Sequence, residues 1–164
     1  MRYIFTILLV LGLTGAQARI PDEYAPLVVQ APFSFSERVF DLTQAVETAK
    51  RDSKPLYLYL GGEDCPPCKD YTRFLHEHRD QLKANFDKLL VVEIRTWLKG
   101  PKLVFKICND RYSFNELKAL VGDTNTRFQY PYHWLIAPNL VQVKQLPVWN
   151  YMSVEQLNDV LRLP

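Results

Sequence analysis

The sequence predicts an α/β fold, a central mixed β-sheet with helices on both faces. Two observations carry this. Short apolar runs alternate along the chain with stretches whose apolar residues recur at i, i+3, i+4 and i+7, the spacings of buried strands and amphipathic helices. The last two strand-like runs flank Pro138-Asn139, a turn that closes an antiparallel pair after an otherwise alternating order. The composition suits one packed domain. The chain has 164 residues, of which 48% are hydrophobic and 23% charged, near the globular average. Nine Tyr and nine Phe fit core and sheet filling.

The elements follow in order. Residues 19–40 carry Pro21, Pro26 and Pro32 with no clear period and read as an extended lead-in, with Phe33-Ser34-Phe35 opening a short strand. The domain proper spans 41–164. Asp41 with Gln44 starts a helix bearing Leu42, Ala45, Val46 and Ala49, and Ser53-Lys54-Pro55 stops it. Leu56 to Leu60 is a buried strand ending at Gly61-Gly62. From Pro66 to about Ala84, Tyr71, Phe74, Leu75 and Leu82 keep helical spacing. Leu89 to Ile94 is a strand and Leu103 to Cys108 another. Ser113 with Glu116 is a capping box for a helix that Gly122 closes. Tyr132 to Ile136 and Val141 to Leu146 form the hairpin, and Ser153 with Gln156 caps a last helix.

Residues 1–18 have the three parts of a secretory signal peptide: Met1-Arg2, the apolar run Tyr3 to Leu13, and the small-x-small site Ala16-Gln17-Ala18. The apolar run is short of the roughly 20 residues a spanning helix needs, so cleavage after Ala18 leaves no stable membrane insertion. An uncleaved N-terminal anchor is the competing reading. Export places the chain in the periplasm or outside the cell, where cysteines oxidise. A formal charge of +2 and the lack of a basic run interleaved with aromatics argue against a nucleic-acid partner.

Three cysteines make a poor disulfide scaffold, and Cys65 and Cys68 are too close in sequence to staple distant segments. Their setting is strand, Gly-Gly, Cys65-Pro66-Pro67-Cys68, helix. That puts Cys65 at the N-cap and Cys68 at the third helical position. Orphan N–H groups and the positive end of the helix dipole favour a thiolate there. Cys65, the outer sulfur, attacks a disulfide, and Cys68 resolves the mixed disulfide. Pro66 and Pro67 suit the first helical turn but remove two donors, leaving the Cys68 N–H. Glu63 and Asp64 are loop charges that oppose the thiolate; Lys69 favours it.

On these residues the chain resembles the thioredoxin-like superfamily, in particular exported bacterial thiol-disulfide oxidoreductases. The carriers are Lys54-Pro55, Cys65-Pro66-Pro67-Cys68-Lys69 and Tyr130-Pro131, and the resemblance covers about Asp41 to Leu161. It implies a thioredoxin-like fold and a protein thiol-disulfide oxidoreductase working through its own cysteines, with no metal or organic cofactor. It implies a cis bond before Pro131 and a substrate groove at Tyr130 and Pro131. It also implies client proteins with thiols or disulfides, and a membrane or soluble redox partner. The chain departs from the family where Tyr59 stands in place of a buried acid, with no evident substitute base. The stretch Trp97 to Arg111 is longer than a minimal thioredoxin needs and reads as an insertion or an extra strand.

Other readings remain open. The pair could be an inert bridge or half a zinc site. Zinc needs two more ligands, and the nearest, His76, lies about 12 Å along a continuous helix from Cys68. Cys108 is a packed free thiol or the donor of an intermolecular disulfide. His133 is a structural or solvent-facing strand residue, with catalysis the sharper alternative. A binding module that uses its cysteines little, a metallochaperone, and an isomerase or oxidase are the competing functions. The local charges point to a reductant, with only a moderately stabilised thiolate.

Overall fold

The computed structural model describes residues 18–144, 146 and 152–162. Strands β1 (Leu27–Gln30), β4 (Leu90–Thr96), β3 (Leu56–Gly62), β7 (Tyr132–Ile136) and β8 (Gln142–Lys144) form a five-stranded sheet in that spatial order. β1, β4 and β3 run parallel; β7 is antiparallel to β3, and β8 to β7. β2 (Glu37–Asp41), β5 (Lys102–Ile107) and β6 (Asp110–Ser113) form a second, three-stranded sheet, parallel between β2 and β5 and antiparallel between β5 and β6. The α/β class and the mixed sheet agree with the sequence expectation.

β3 is the central strand, and all seven of its residues are buried. Strict alternation sends its side chains to two cores. Leu56, Leu58 and Leu60 join one core with α1 (Thr43–Asp52), α4 (Phe114–Val121) and residues of β2 and β5. Tyr57 and Tyr59 join the other with α2 (Pro66–Glu77), α3 (Arg79–Phe86) and α5 (Val154–Leu161). Helices therefore cover both faces of the five-stranded sheet. Buried Asp123 ties the chain after α4 to β7: its Oδ2 accepts the Tyr132 hydroxyl at 2.5 Å and Trp134 Nε1 at 2.9 Å.

Several elements differ from expectation. Residues 19–40, expected as an extended lead-in, hold a short 3-10 helix at Asp22–Tyr24 and all of β1, and β2 begins at Glu37. Phe33-Ser34-Phe35 is not a strand; Phe33 and Phe35 are exposed in the connection from β1 to β2. β1 and β2 are paired by strands far along the chain, with the same offset of 65 positions in both ladders (Leu27 to Val92, Asp41 to Lys106). α1 starts at Thr43, because Asp41 is still paired in β2. Its carboxylate nevertheless caps from outside, Oδ1 accepting the Thr43 N–H at 3.0 Å.

The helix expected from Pro66 to Ala84 is two helices, α2 and α3, meeting at His78. Leu75, Leu82 and Phe86 enter the same core on both sides of the bend, so the apolar spacing does not mark it. The long stretch after Trp97 supplies β5, which pairs with β2, and the start of β6, which pairs with β5. The capping boxes at Ser113 and Ser153 form as expected, and Gly122 closes α4 in the left-handed conformation at φ 77°. The second hairpin strand is shorter than expected; of Val141 to Leu146, residues 142–144 are strand and residue 145 lies outside the described residues. Most of the expected signal peptide, residues 1–17, also lies outside them. No helix among the described residues is long and apolar enough to cross a membrane.

Candidate active site

β3 ends at Gly62, at the end of the sheet where α2 begins, and the turn between them leads into the two cysteines. Cys65 is the N-cap of α2, with Pro66 and Pro67 at the first two helical positions. The Cys68 N–H, the first donor the prolines leave, points at Cys65 Sγ at 3.2 Å. Cys68 Sγ accepts from the Gly62 N–H at 3.4 Å. Cys65 and Cys68 are joined as a disulfide, their Cα atoms 5.2 Å apart. Backbone donors thus reach both sulfurs, and donors of this kind stabilise a thiolate once the bond is opened.

The Tyr130-Pro131 peptide bond is cis. Tyr130 packs against the buried cluster that holds both cysteines, so the segment before β7 meets the start of α2. Burial holds its phenol above the ordinary range, with the Arg38 cation opposing that shift and the Asp64 carboxylate adding to it. All six residues singled out from the sequence, Cys65, Pro66, Pro67, Cys68, Tyr130 and Pro131, therefore lie at one end of the five-stranded sheet.

The acidic pair before Cys65 is not a free loop charge. Asp64 Oδ1 accepts the Leu98 N–H at 2.7 Å, and Glu63 lies 4.0 Å from the Arg19 guanidinium. Arg38 holds the loop after β4 from its other side, donating to Thr96 Oγ1 at 2.7 Å, the Trp97 carbonyl at 2.8 Å and the Pro101 carbonyl. Trp97 and Leu98 are exposed in this loop, and Leu98 Cδ2 comes close to Gly62, as does Cys65. A cleft of about 200 Å³ is bordered by Arg38, Glu63, Arg95 and Trp97.

Two expectations change, and for His133 the structural one of its two main readings fits. Cys65 is not an exposed outer sulfur: Cys65 is 1% exposed and Cys68 0%, in a cluster with Ala18. Cys108 is not a packed thiol. It is free and exposed at the turn between β5 and β6, with φ 55° and its N–H donated to Thr43 Oγ1. The alternation of β5 stops at Ile107, and Cys108-Asn109 is the turn. His133 does not face solvent. It lies beneath α2, its Nδ1 hydrogen-bonded to the Tyr57 hydroxyl at 2.9 Å, and burial pushes its pKa down to about 3. The Tyr57 hydroxyl is in turn hydrogen-bonded to the Tyr71 hydroxyl.

One buried acid was not singled out from the sequence. Glu93 is fully buried on β4, in register with Tyr59 on β3. Its Oε1 accepts the Ile20 N–H at 3.2 Å, and its Oε2 the Arg95 guanidinium at 2.9 Å. Its signal was available as a lone charge inside the apolar run Leu89 to Ile94. Among the described residues, no cluster of three or more His, Cys, Asp and Glu side chains is arranged to hold a metal ion. Comparisons with protein-family models, with curated proteins and with solved structures give no match to this chain.

Proposed function

We propose that this chain is an exported thiol-disulfide oxidoreductase of the thioredoxin-like kind, with Cys65 as nucleophile and Cys68 as resolving cysteine. The observation that carries the proposal is the Cys65–Cys68 disulfide at the N-terminus of α2, in a cluster against which Tyr130, whose bond to Pro131 is cis, packs. The sheet order β1-β4-β3-β7-β8, with α2 leaving the central strand, is in keeping with it.

In the reductive direction the Cys65 thiolate attacks one sulfur of a client disulfide. A mixed disulfide forms and one client thiolate leaves. The Cys68 thiolate then attacks Cys65 Sγ, which restores the Cys65–Cys68 disulfide and frees the second client thiolate. Two electrons pass to the client, and the two client thiolates take up protons from solvent. A membrane or soluble dithiol donor then reduces the pair again. Pro66 and Pro67 lower the number of N–H donors near Cys65, which fits a reductant better than a strong oxidant.

The test uses two variants. Cys68→Ser accumulates mixed disulfides with exported proteins and Cys65→Ser does not, and the parent chain reduces insulin with dithiothreitol as electron source. No trapped species with Cys68→Ser, together with no insulin turnover, overturns the proposal in favour of a binding module. The burial of both sulfurs is the observation that favours that second reading.

A further inference from the structure

The parallel ladders of β1 on β4 and of β2 on β5 bring two loops together. Gln30 pairs with Arg95 before them and Glu37 with Lys102 after them, so residues 31–36 and 96–101 leave and rejoin the sheets side by side. Arg38 ties down the second loop through Thr96, Trp97 and Pro101, and Ala31 and Trp97 border one cleft.

The two loops project apolar side chains into solvent. Phe33 and Phe35 are 85% and 91% exposed, the most exposed large apolar side chains among the described residues, and their rings meet edge to face at 4.9 Å. Trp97 is 53% exposed on the neighbouring loop, with Leu98 beside it in the chain. Exposed aromatics grouped in this way mark a surface that docks.

Charge decides what the surface docks on. Nearby acids are already engaged: Glu37 pairs with Arg111, Glu63 lies near Arg19, and Asp64 accepts the Leu98 N–H. Lys99 and Lys102 are exposed and in no ion pair among the described residues. Glu116, on which Lys102 exerts a minor pull, is held by the Ser113 capping box. Projecting Phe and Trp rings flanked by free Lys suit a bilayer interface, where rings enter the boundary of headgroups and acyl chains and ammonium groups meet anionic phosphates. A ring that projects this far is buried by a soft acyl layer without a matching pocket, which a rigid protein partner must supply.

We propose that loops 31–36 and 96–101 dock this protein on a bilayer surface that contains anionic phospholipid. Phe33, Phe35 and Trp97 enter the interface, and Lys99 and Lys102 lie on the headgroups. Leu98 and Cys65 both come close to Gly62, so docking brings the disulfide end of the sheet to the membrane. This deepens the thiol-exchange reading by setting the pair where a membrane dithiol donor is met, and it rests on that reading for this step alone.

The chain is tested in the form the cell makes, so any N-terminal residues it keeps are common to every variant. Parent, Phe33→Ser/Phe35→Ser, Lys99→Gln/Lys102→Gln and Trp97→Phe are mixed with vesicles of phosphatidylcholine, alone or with about one-third phosphatidylglycerol. Flotation reads binding, and tryptophan emission with brominated acyl chains as quencher reads insertion. The parent binds the anionic vesicles, its emission shifts to the blue and is quenched, and Trp97→Phe loses the quenching. Phe33→Ser/Phe35→Ser weakens binding at least about tenfold, and Lys99→Gln/Lys102→Gln weakens it about tenfold on anionic vesicles only. These side chains are exposed, so near-UV circular dichroism matches the parent in both double variants.

No vesicle binding, or binding that all variants share with Trp97 unquenched, overturns the proposal. Capture of reduced, alkylated insulin chains by the parent but not by Phe33→Ser/Phe35→Ser, with vesicles unbound, assigns the loops to a protein partner and also overturns it. Insulin turnover without vesicle binding leaves the oxidoreductase reading standing and removes the membrane surface; vesicle binding without turnover does the reverse.

Discussion

Lowering the pH from neutral to 5 is expected to destabilise this fold through His133 alone by about 2 kcal/mol. The ring is 7% exposed and lies among Tyr57, Tyr59 and Tyr71, with the Tyr71 ring centroid 4.6 Å from its own. Desolvation takes its pKa from the ordinary 6.5 down to about 3. The three phenols are pushed up by burial, so they stay neutral throughout and offer the imidazolium no counter-charge. The unfolded chain therefore takes up the proton first. Stability is fully present above the unfolded value and falls as the pH drops toward the folded one. At pH 5 the gap from the unfolded value is about 1.5 pH units, at ~1.36 kcal/mol each. Urea unfolding followed by far-UV circular dichroism at about pH 7.5 and pH 5 measures the loss. His133→Gln lowers stability at both values but removes this component of the slope, which isolates it from the other two histidines, His76 and His78. An equal loss in parent and variant between the two pH values would refute the assignment of a buried neutral imidazole.

Two further outcomes follow from buried contacts. Asp123→Ala leaves the Tyr132 hydroxyl and Trp134 Nε1 without their shared acceptor and lowers stability by about 2–4 kcal/mol in urea unfolding, while Asp123→Asn, which keeps one carbonyl oxygen, recovers part of it. Gly61→Ala drives its new methyl group into the Tyr59 ring and costs about 1–3 kcal/mol, most of which disappears in a Tyr59→Val background measured as a double-mutant cycle.

What could be read from the sequence was local. The N-cap role of Cys65 and the boxes at Ser113 and Ser153 depend on residues three apart, and each formed where expected. β3 announced itself because a strand buried on both faces is apolar at every position. β1 and β2 did not, because half-buried strands of four and five residues leave little alternation and owe their order to partners 65 positions away. The misplacement of Cys108 has the same root: alternation continues to Ile107, and only the turn at Cys108-Asn109 ends it. The site was legible as a motif but not as a surface. Cys65 is buried in a cluster with residues remote in sequence, Ala18 and Tyr130, and no local pattern signals that.

The shared offset of the two parallel ladders makes a pair of loops interdependent. Segments 27–41 and 92–106 run side by side in one register, interrupted on each side by a detour of equal length, 31–36 against 96–101. Arg38 stitches the second detour, grasping Thr96, Trp97 and Pro101. A residue inserted into either detour alone must be absorbed there, or β2 slips by one place against β5 and turns Phe40 out of the core. Homologous chains that vary in length here are therefore expected to gain or lose residues in both detours at once, so that an insertion near position 33 is answered by one near position 98, the position that borders the cysteines.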